Sequence, residues 1–215
     1  MNSIYLKNIK ANVSKLGFGT MRLPIMDKNP KYDKAIKLIE YAIDKGINIF
    51  DIGTFYCNNQ CEKIFGLATR NVPREKLYIC GKNSSHQTNS YHWLEQLYKS
   101  LELIHRDKFD LYFIHYLTLE KWETYYNDPE IKNQISTARE KGVFDFLGFS
   151  SHDEPDHVKK LIDTKQFDAV ILPFNLLEQK YKETLKYANK NGLYVVAMNP
   201  LAGGSLATRN LFNSN

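Results

Sequence analysis

Four residues that can move or stabilise protons follow short apolar runs of the sequence. Asp51 closes the run INIFD, Tyr56 comes five residues later, Lys82 closes LYICGK, and His115 closes DLYFIH. A tyrosine has a pKa of about 10 in water, and a close positive charge together with hydrogen bonding lowers it. Lys82 would supply that charge, Asp51 would keep Lys82 charged and oriented, and His115 would position a substrate oxygen. The set therefore suits protonation of an alkoxide as a cofactor delivers hydride to a carbonyl carbon.

Each of these residues also has an ordinary structural explanation. An acid or a lysine at a strand end is commonly an exposed charge, and a single histidine is commonly a hydrogen-bonded core residue. Tyr56 is one of 14 tyrosines in the chain. Only the joint position of the four residues at the ends of consecutive strands favours one shared site.

Apolar runs alternate with amphipathic segments along the chain. The runs predict strands near 15–20, 47–51, 77–81, 110–115, 145–150, 169–174 and 194–199. Helical spacing of apolar residues predicts helices near 33–45, 61–69, 90–104, 130–141, 155–164 and 180–191. Gly46, Gly142 and Gly192 each stand between a predicted helix and the next strand. We expect these glycines to end their helices in the left-handed conformation.

Regular alternation of strands and helices indicates a parallel sheet covered by helices, which is an α/β fold. The dinucleotide fingerprint G-x-G-x-x-G is absent from the first strand, where the sequence from residue 16 reads LGFGTMR. The repeats favour a (β/α)8 TIM-barrel type over an open doubly wound sheet. No linker interrupts them, so we expect a single domain over residues 1–215. In such a barrel the strands present their carboxyl ends at one mouth, which would gather the four residues above.

Composition restricts the classes of function. The chain has 215 residues, of which 43% are hydrophobic and 25% charged, and its formal net charge is +5. Lysines and acids are interleaved, which argues against nucleic-acid binding. No apolar run reaches the length of a membrane span and the start lacks a signal-like segment, so a cytoplasmic protein is expected. The three cysteines, Cys57, Cys61 and Cys80, suit neither a disulfide framework nor a metal site.

Several segments resemble those of the aldo-keto reductase family. They are FDIGTFYCNNQCEKIFG, ICGK and LYFIHY, together with LGFGTMRLP, GFSSH and NPLAGG. The resemblance implies a catalytic tetrad of Asp51, Tyr56, Lys82 and His115, an NADP cofactor and a small-molecule carbonyl substrate. It further implies cofactor contacts from Thr20, Met21, Arg22, Ser150, Ser151 and Met198. GTMRLP and GFSSH are most similar to a subgroup whose longer members carry a C-terminal iron–sulfur domain.

The chain departs from the family pattern at three places. Ile171 stands where the family has a glutamine for the nicotinamide carboxamide, and Met198 stands where it has an aromatic residue. Eleven residues follow NPLAGG, where the family has an eighth strand and a cofactor-binding segment. We therefore expect a barrel with about seven parallel strands, and a homodimer that covers its open edges.

Three functions remain open at this point. The leading one is NAD(P)H-dependent reduction of an aldehyde or ketone, sugar-like carbonyls included. The second keeps the tetrad for non-redox acid/base work, as in an isomerase or a lyase. The third is a non-catalytic binding subunit. The segment 117–129 reads as a loop whose aromatic residues Trp122, Tyr125 and Tyr126 either line a pocket or lie exposed.

Overall fold

Nine strands and seven helices occur in the computed structural model, which describes residues 2–7, 9–25, 32–88 and 92–207. The strands are β1 (Ser3–Leu6), β2 (Ala11–Ser14), β3 (Phe18–Gly19), β4 (Ile49–Asp51), β5 (Tyr78–Asn83), β6 (Phe109–Ile114), β7 (Phe144–Ser150), β8 (Ala169–Pro173) and β9 (Tyr194–Met198). The helices are α1 (Asp33–Asp44), α2 (Cys61–Ala68), α3 (Trp93–Ile104), α4 (Leu119–Lys121), α5 (Pro129–Glu140), α6 (Pro155–Asp163) and α7 (Lys182–Lys190). Single turns of 3-10 helix cover Arg74–Lys76 and Ser85–Thr88, and a further 3-10 segment covers Ala202–Ala207.

Strands β3 to β9 form one parallel sheet in the order of the chain. The sheet curls into a half-barrel with helices on its outer side, so the predicted α/β fold of TIM-barrel type with about seven strands is confirmed. Gly46, Gly142 and Gly192 have φ angles of 84°, 65° and 85° and follow helices α1, α5 and α7, as their sequence positions predict. The extension of the domain over all 215 residues remains a prediction.

Alternation along each strand divides the apolar core into two parts. Ile49, Cys80, Leu111, Phe113 and Ile171 pack together on the inner face of the sheet. Their chain neighbours, such as Phe50, Ile79, Tyr112 and Val170, pack against the helices. Successive side chains of a strand point to opposite faces of the sheet. The last inward-facing residues of β4, β5 and β7 therefore lie at the mouth of the half-barrel.

Strands β1 and β2 form an antiparallel hairpin that the sequence patterns did not predict. Ala11 and Val13 of this hairpin pack into the inner core. Asn48, which precedes β4, accepts a hydrogen bond from Ser14 N and donates one to Asn12 O, at 2.7 and 2.9 Å. The hairpin therefore closes the amino-terminal end of the half-barrel, opposite the mouth.

The interpretation of segment 117–129 as a loop was wrong for most of its length. Residues 119–121 form α4, and Trp122–Tyr126 continue as a π-helical turn. Tyr126 is fully buried and Tyr125 is 8% exposed, so the segment packs as part of the helix layer. Among the described residues, no helix is both long and apolar enough to cross a membrane. The predicted first residues of the third helix, 90 and 91, lie outside the described residues, as do residues 208–215.

Candidate active site

Strand register brings three of the four candidate residues to one mouth. Asp51 ends β4 on the inner face and pairs with Cys80, and Lys82 lies two residues further along β5. Lys82 pairs with Phe113, and His115 comes two residues after Phe113, directly after the end of β6. Gly81 faces the helix layer between them, where a Cβ atom would lie 2.5 Å from the Phe109 ring. The absence of a side chain at Gly81 thus lets Phe109 pack directly against the strand that carries Lys82.

Tyr56 reaches this mouth from the turn after β4. Its backbone N–H donates to Gly53 O at 3.1 Å, which closes the turn. Lys82 Nζ lies 2.5 Å from Tyr56 Oη and 2.9 Å from Asp51 Oδ2. The His115 ring meets the Tyr56 ring edge-on, with 5.8 Å between centroids. The structure therefore brings all four sequence-predicted residues together.

The ionisable groups of this cluster shift one another's pKa values. Burial raises the pKa of Tyr56, the charge of Asp51 raises it further, and the Lys82 ammonium opposes both. Burial disfavours the charged form of Lys82, but Asp51 and Tyr56 together raise the pKa of that ammonium. From the sequence we expected Lys82 to lower the pKa of Tyr56. Lys82 does lower it, but burial and Asp51 outweigh this effect, so the net shift is upward. At neutral pH the site thus holds a protonated phenol beside an ammonium.

His115 is electrically neutral in this setting. Burial lowers the pKa of its imidazole to about 3, and the charges of Lys82, His86 and His152 add to the effect. Its Nδ1 atom lies 3.0 Å from Ser84 Oγ. Sequence patterns gave no role to Ser84, whose only signal is its place two residues after Lys82.

Tyr116 forms an exposed wall beside the cluster. Its ring lies 4.3 Å from that of His115 and stacks on His152 at 4.9 Å and 16°. Its φ angle of 55° is rare for a residue other than glycine, and its N–H donates to Ser150 Oγ at 3.0 Å. Sequence reasoning missed Tyr116, although its place directly after His115 could have indicated a position at the mouth.

Two of the predicted cofactor contacts have their hydroxyl groups engaged inside the protein. Thr20 Oγ1 is fully buried, donates to Asp51 O at 2.7 Å and lies 2.8 Å from Cys61 Sγ. Ser151 Oγ donates to Leu117 O at 2.7 Å and accepts from Asp153 N. These hydroxyl groups hold the loops that end at the mouth, and their role towards a cofactor stays a prediction.

The other predicted contacts lie at the rim. Ser150 Oγ accepts from Tyr116 N, and no acceptor for its own proton is found among the described residues. Met198 ends β9 on the inner face and is half-buried, and Met21 is exposed. Arg22 Nη1 donates to Gly203 O at 2.8 Å, which joins the loop after β3 to the segment after β9. The side chain of Ile171 packs in the inner core.

A surface cavity lies away from this cluster. It has a volume of about 420 Å³, opens on the outer flank and is lined by residues from α5, β7, the π-helical turn and the end of α6, among them Trp122, Tyr126, Ile135 and Arg139. Trp122 and Tyr126 thus line a cavity away from the tetrad, and a substrate pocket formed by the aromatic segment stays a prediction. None of the tetrad residues lines this cavity.

The thiols take no part in a covalent cross-link. Cys57, Cys61 and Cys80 are free, and Cys57 Sγ donates to Thr20 O at 3.0 Å. Burial raises the pKa of Cys61 to about 12, which keeps that thiol protonated. No group of three metal-binding side chains occurs in the described part of the chain.

Comparison with known proteins gives several curated relatives. An uncharacterised oxidoreductase of Bacillus subtilis, YqkF, is 26% identical over 209 residues, which cover 93% of this chain and 65% of the relative. A probable aldo-keto reductase of Glycine max is 26% identical over 203 residues, which cover 89% of this chain and 57% of the relative. An NADH-specific methylglyoxal reductase of Escherichia coli is 23% identical over 96% of this chain and 69% of its own. The chain thus spans roughly two thirds or less of the first two of these relatives.

Solved structures share the fold. An aldo-keto reductase from Bacillus halodurans in its holo form superposes with a TM-score of 0.82 at 24% identity, over all of this chain and 72% of that one. An aldo-keto reductase from Klebsiella pneumoniae in complex with NADPH gives 0.76 at 18% identity, over all of this chain and 74% of that one. The model of the aldo/keto reductase family matches residues 15–215. Because that match runs through every strand of the half-barrel and through all four clustered residues, the chain belongs to the aldo/keto reductase family.

Proposed function

We propose that this protein reduces the carbonyl group of a small aldehyde or ketone with a nicotinamide cofactor, NADPH. The observation that carries the proposal is the 2.5 Å contact between Lys82 Nζ and Tyr56 Oη, made at a strand-end mouth and backed by Asp51. Membership of the family and relatives named as oxidoreductases support the same reaction class. The family's iron–sulfur subgroup remains a resemblance of the segments GTMRLP and GFSSH alone.

Tyr56 acts as the general acid in this proposal. Its raised pKa keeps the phenol protonated at neutral pH, which is the form that a proton donor needs. When bound, the cofactor supplies a hydride to the carbonyl carbon. The electron pair of the C=O π bond then moves to the carbonyl oxygen, and this oxygen takes the proton of Tyr56.

Lys82 and Asp51 make this proton transfer possible. The phenol becomes a tyrosinate as it gives up its proton, and the Lys82 ammonium stabilises that negative charge at hydrogen-bonding distance. Asp51 accepts a hydrogen bond from Lys82, fixes its orientation and favours its charged form. Neutral His115 orients the carbonyl oxygen towards Tyr56.

The rim residues suit the nicotinamide end of the cofactor in part. Ser150 retains a hydroxyl proton that could be donated to the carboxamide oxygen, and Met198 offers an apolar, polarisable contact for the ring. We assign Thr20, Met21, Arg22 and Ser151 to the nicotinamide region, where they would shape the cofactor pocket. Ile171 has no amide to replace the family's glutamine.

The choice of NADPH over NADH is part of the proposal. One of the solved neighbours is a complex with NADPH, whereas the Escherichia coli relative is NADH-specific. The second candidate function is non-redox acid/base catalysis by the same tetrad. It is favoured by the hydroxyl groups of Thr20 and Ser151, because hydroxyl groups that are already hydrogen-bonded within the protein bind a cofactor less well.

A fluorescence titration of NADPH with the protein separates these two functions. We expect the nicotinamide emission to be quenched or shifted to the blue on binding, and NADPH to be consumed when aldehydes or ketones are added. NADH in the same titration serves as the comparison for cofactor preference. No change with either cofactor at hundreds of micromolar would contradict the reductase and favour the non-redox enzyme.

A further inference from the structure

The two ring nitrogens of His115 have different surroundings. Nδ1 lies 3.0 Å from Ser84 Oγ, whereas Nε2 makes no hydrogen bond to the described residues. Since burial and neighbouring positive charges keep the imidazole neutral, it carries a single N–H. The nitrogen that holds this hydrogen decides whether His115 can donate a hydrogen bond to a substrate oxygen or only accept one.

Ser84 is held in place from both sides of its backbone. It follows β5 directly and is fully buried. Its N–H donates to Gln96 Oε1 of α3 at 3.0 Å, and its carbonyl oxygen accepts from Gln87 N at 2.9 Å. Because the backbone of Ser84 is fixed by these two contacts, its short side chain has little freedom to leave His115.

The direction of the Ser84–His115 hydrogen bond follows from the needs of the buried hydroxyl group. Ser84 Oγ makes no other hydrogen bond within the described part of the chain. If Nδ1 carried the hydrogen and donated it to Oγ, the hydroxyl hydrogen of Ser84 would remain buried without an acceptor, which is costly. If Ser84 donates to a bare Nδ1 instead, both groups are satisfied and the ring hydrogen must reside on Nε2.

We propose that Ser84 is a positioning residue that donates its hydroxyl hydrogen to Nδ1 and thereby holds His115 in the Nε2–H tautomer. His115 then presents a donor to the carbonyl oxygen beside the hydroxyl group of Tyr56. Two donors on one oxygen would polarise the carbonyl and stabilise the developing alkoxide. The tautomer depends on the structure alone, whereas its catalytic consequence rests on the proposed reductase function.

Nuclear magnetic resonance of the protein labelled with ¹³C and ¹⁵N in histidine tests the tautomer directly. Ring nitrogen and Cδ2 shifts distinguish the two neutral forms, and His115→Gln identifies the signals of His115 among the 6 histidines. We expect the Nε2–H form in the native protein and in Ser84→Thr. In Ser84→Ala we expect a mixture of both forms.

A matched control removes a different buried hydroxyl group. Ser100 on α3 is 1% exposed, and its hydroxyl group lies next to Glu62 and Tyr112 rather than next to His115. Ser100→Ala should leave the His115 signals unchanged. An Nδ1–H form in the native protein would overturn the proposal even if Ser84→Ala failed to fold, and so would an unchanged Nε2–H form in a folded Ser84→Ala protein.

Kinetics test the catalytic consequence. Ser84→Ala should lower kcat/KM roughly 10- to 100-fold, with the loss mainly in kcat, and Ser84→Thr should recover most of it. Unchanged kinetics in a Ser84→Ala protein with a mixed tautomer would overturn the catalytic half. If the native protein reduced no carbonyl while the tautomer shifted as expected, the reductase function would fail and the positioning role of Ser84 would stand.

Discussion

At the scale of single residues, the site depends on a competition between burial and charge at Tyr56. Burial and Asp51 raise the pKa of the phenol, while Lys82 lowers it. This balance keeps the proton on Tyr56 until the substrate oxygen becomes basic enough to take it. Lys82 has its main role after that step, when the tyrosinate needs a positive partner.

Replacement of Lys82 by methionine tests this balance. Without the ammonium, the tyrosinate loses its partner, so the pKa of Tyr56 should rise further. Because the pKa of Tyr56 already lies above the range of a pH–rate measurement in the native protein, we expect activity to fall roughly tenfold or more at every measurable pH rather than a limb of the profile to move. Lys108→Met, which removes an exposed lysine paired with Asp145, is the control. A Lys82→Met profile that coincides with the native one would show that Lys82 does not act on the titrating group.

Sequence reasoning identified the site residues that lie on strands better than those that depend on loop contacts. Asp51, Lys82 and His115 could be predicted because strand ends and inner-face alternation fix their positions. The engagement of Thr20 with Asp51 O and Cys61 could not, since it depends on contacts 31 and 41 residues away in the chain. Ser84 escaped notice for the same reason, because a single serine carries no pattern.

At the scale of elements, the apolar runs and glycines predicted every strand of the parallel sheet. The β1–β2 hairpin was missed because each of its strands has only four residues and Ser3–Leu6 is mostly exposed. The helical character of 119–126 was missed because its aromatic residues bury against His86 and Phe167, contacts that no local pattern encodes.

Helix α2 carries a buried acid whose ionisation should oppose folding. Glu62 is 2% exposed, and its Oε1 atom makes no hydrogen bond to the described residues. Burial raises the pKa of this carboxyl from 4.5 to about 7. The folded protein therefore keeps a proton that the unfolded chain releases between these values. The contribution of Glu62 to the free energy of unfolding should therefore fall as pH rises from about 4.5 to about 7, whereas the buried neutral imidazoles of His86 and His115 act in the opposite direction below about 6.5.

Glu62→Gln should remove the part of the pH dependence that Glu62 causes and leave the part that comes from the histidines. The loss attributable to Glu62 is about 3 kcal/mol, at about 1.36 kcal/mol per pKa unit. Urea unfolding of both proteins at pH 5 and pH 8 measures it: the variant should be relatively more stable at pH 8. Glu75→Gln, which changes an exposed glutamate, should follow the native curve. An equal pH dependence in Glu62→Gln and the native protein would contradict the assignment.

At the scale of the whole molecule, the half-barrel presents two sheet edges. Within the described residues, β3 pairs only with β4, and β9 pairs only with β8. Residues of β9 are apolar yet half-exposed, in contrast to the fully buried β8. Arg22 connects the two sides through Gly203 at the mouth. Unpaired strand edges tend to pair with another chain.

We predict that the 215-residue chain self-associates, at least as a dimer, through these edges. Light scattering behind a sizing column should give a mass above the 25.1 kDa of one chain at micromolar concentrations. Ala197→Lys, which places a charge at the exposed position of β9, should shift the mass towards the monomer. A monomer mass for the native chain across the micromolar range would rule this association out.

The central claim, that Tyr56 supplies the proton for carbonyl reduction, is tested most directly by Tyr56→Phe. We would follow NADPH consumption with a carbonyl substrate, NADPH binding by fluorescence, and folding by circular dichroism. The account predicts an unchanged fold and cofactor affinity with activity lowered about 10²- to 10⁴-fold, the range of general acid catalysis. Tyr41→Phe, at an exposed tyrosine on α1, should retain full activity. Activity of Tyr56→Phe within a factor of about two of the native protein would contradict the account, because a phenyl ring has no proton to donate.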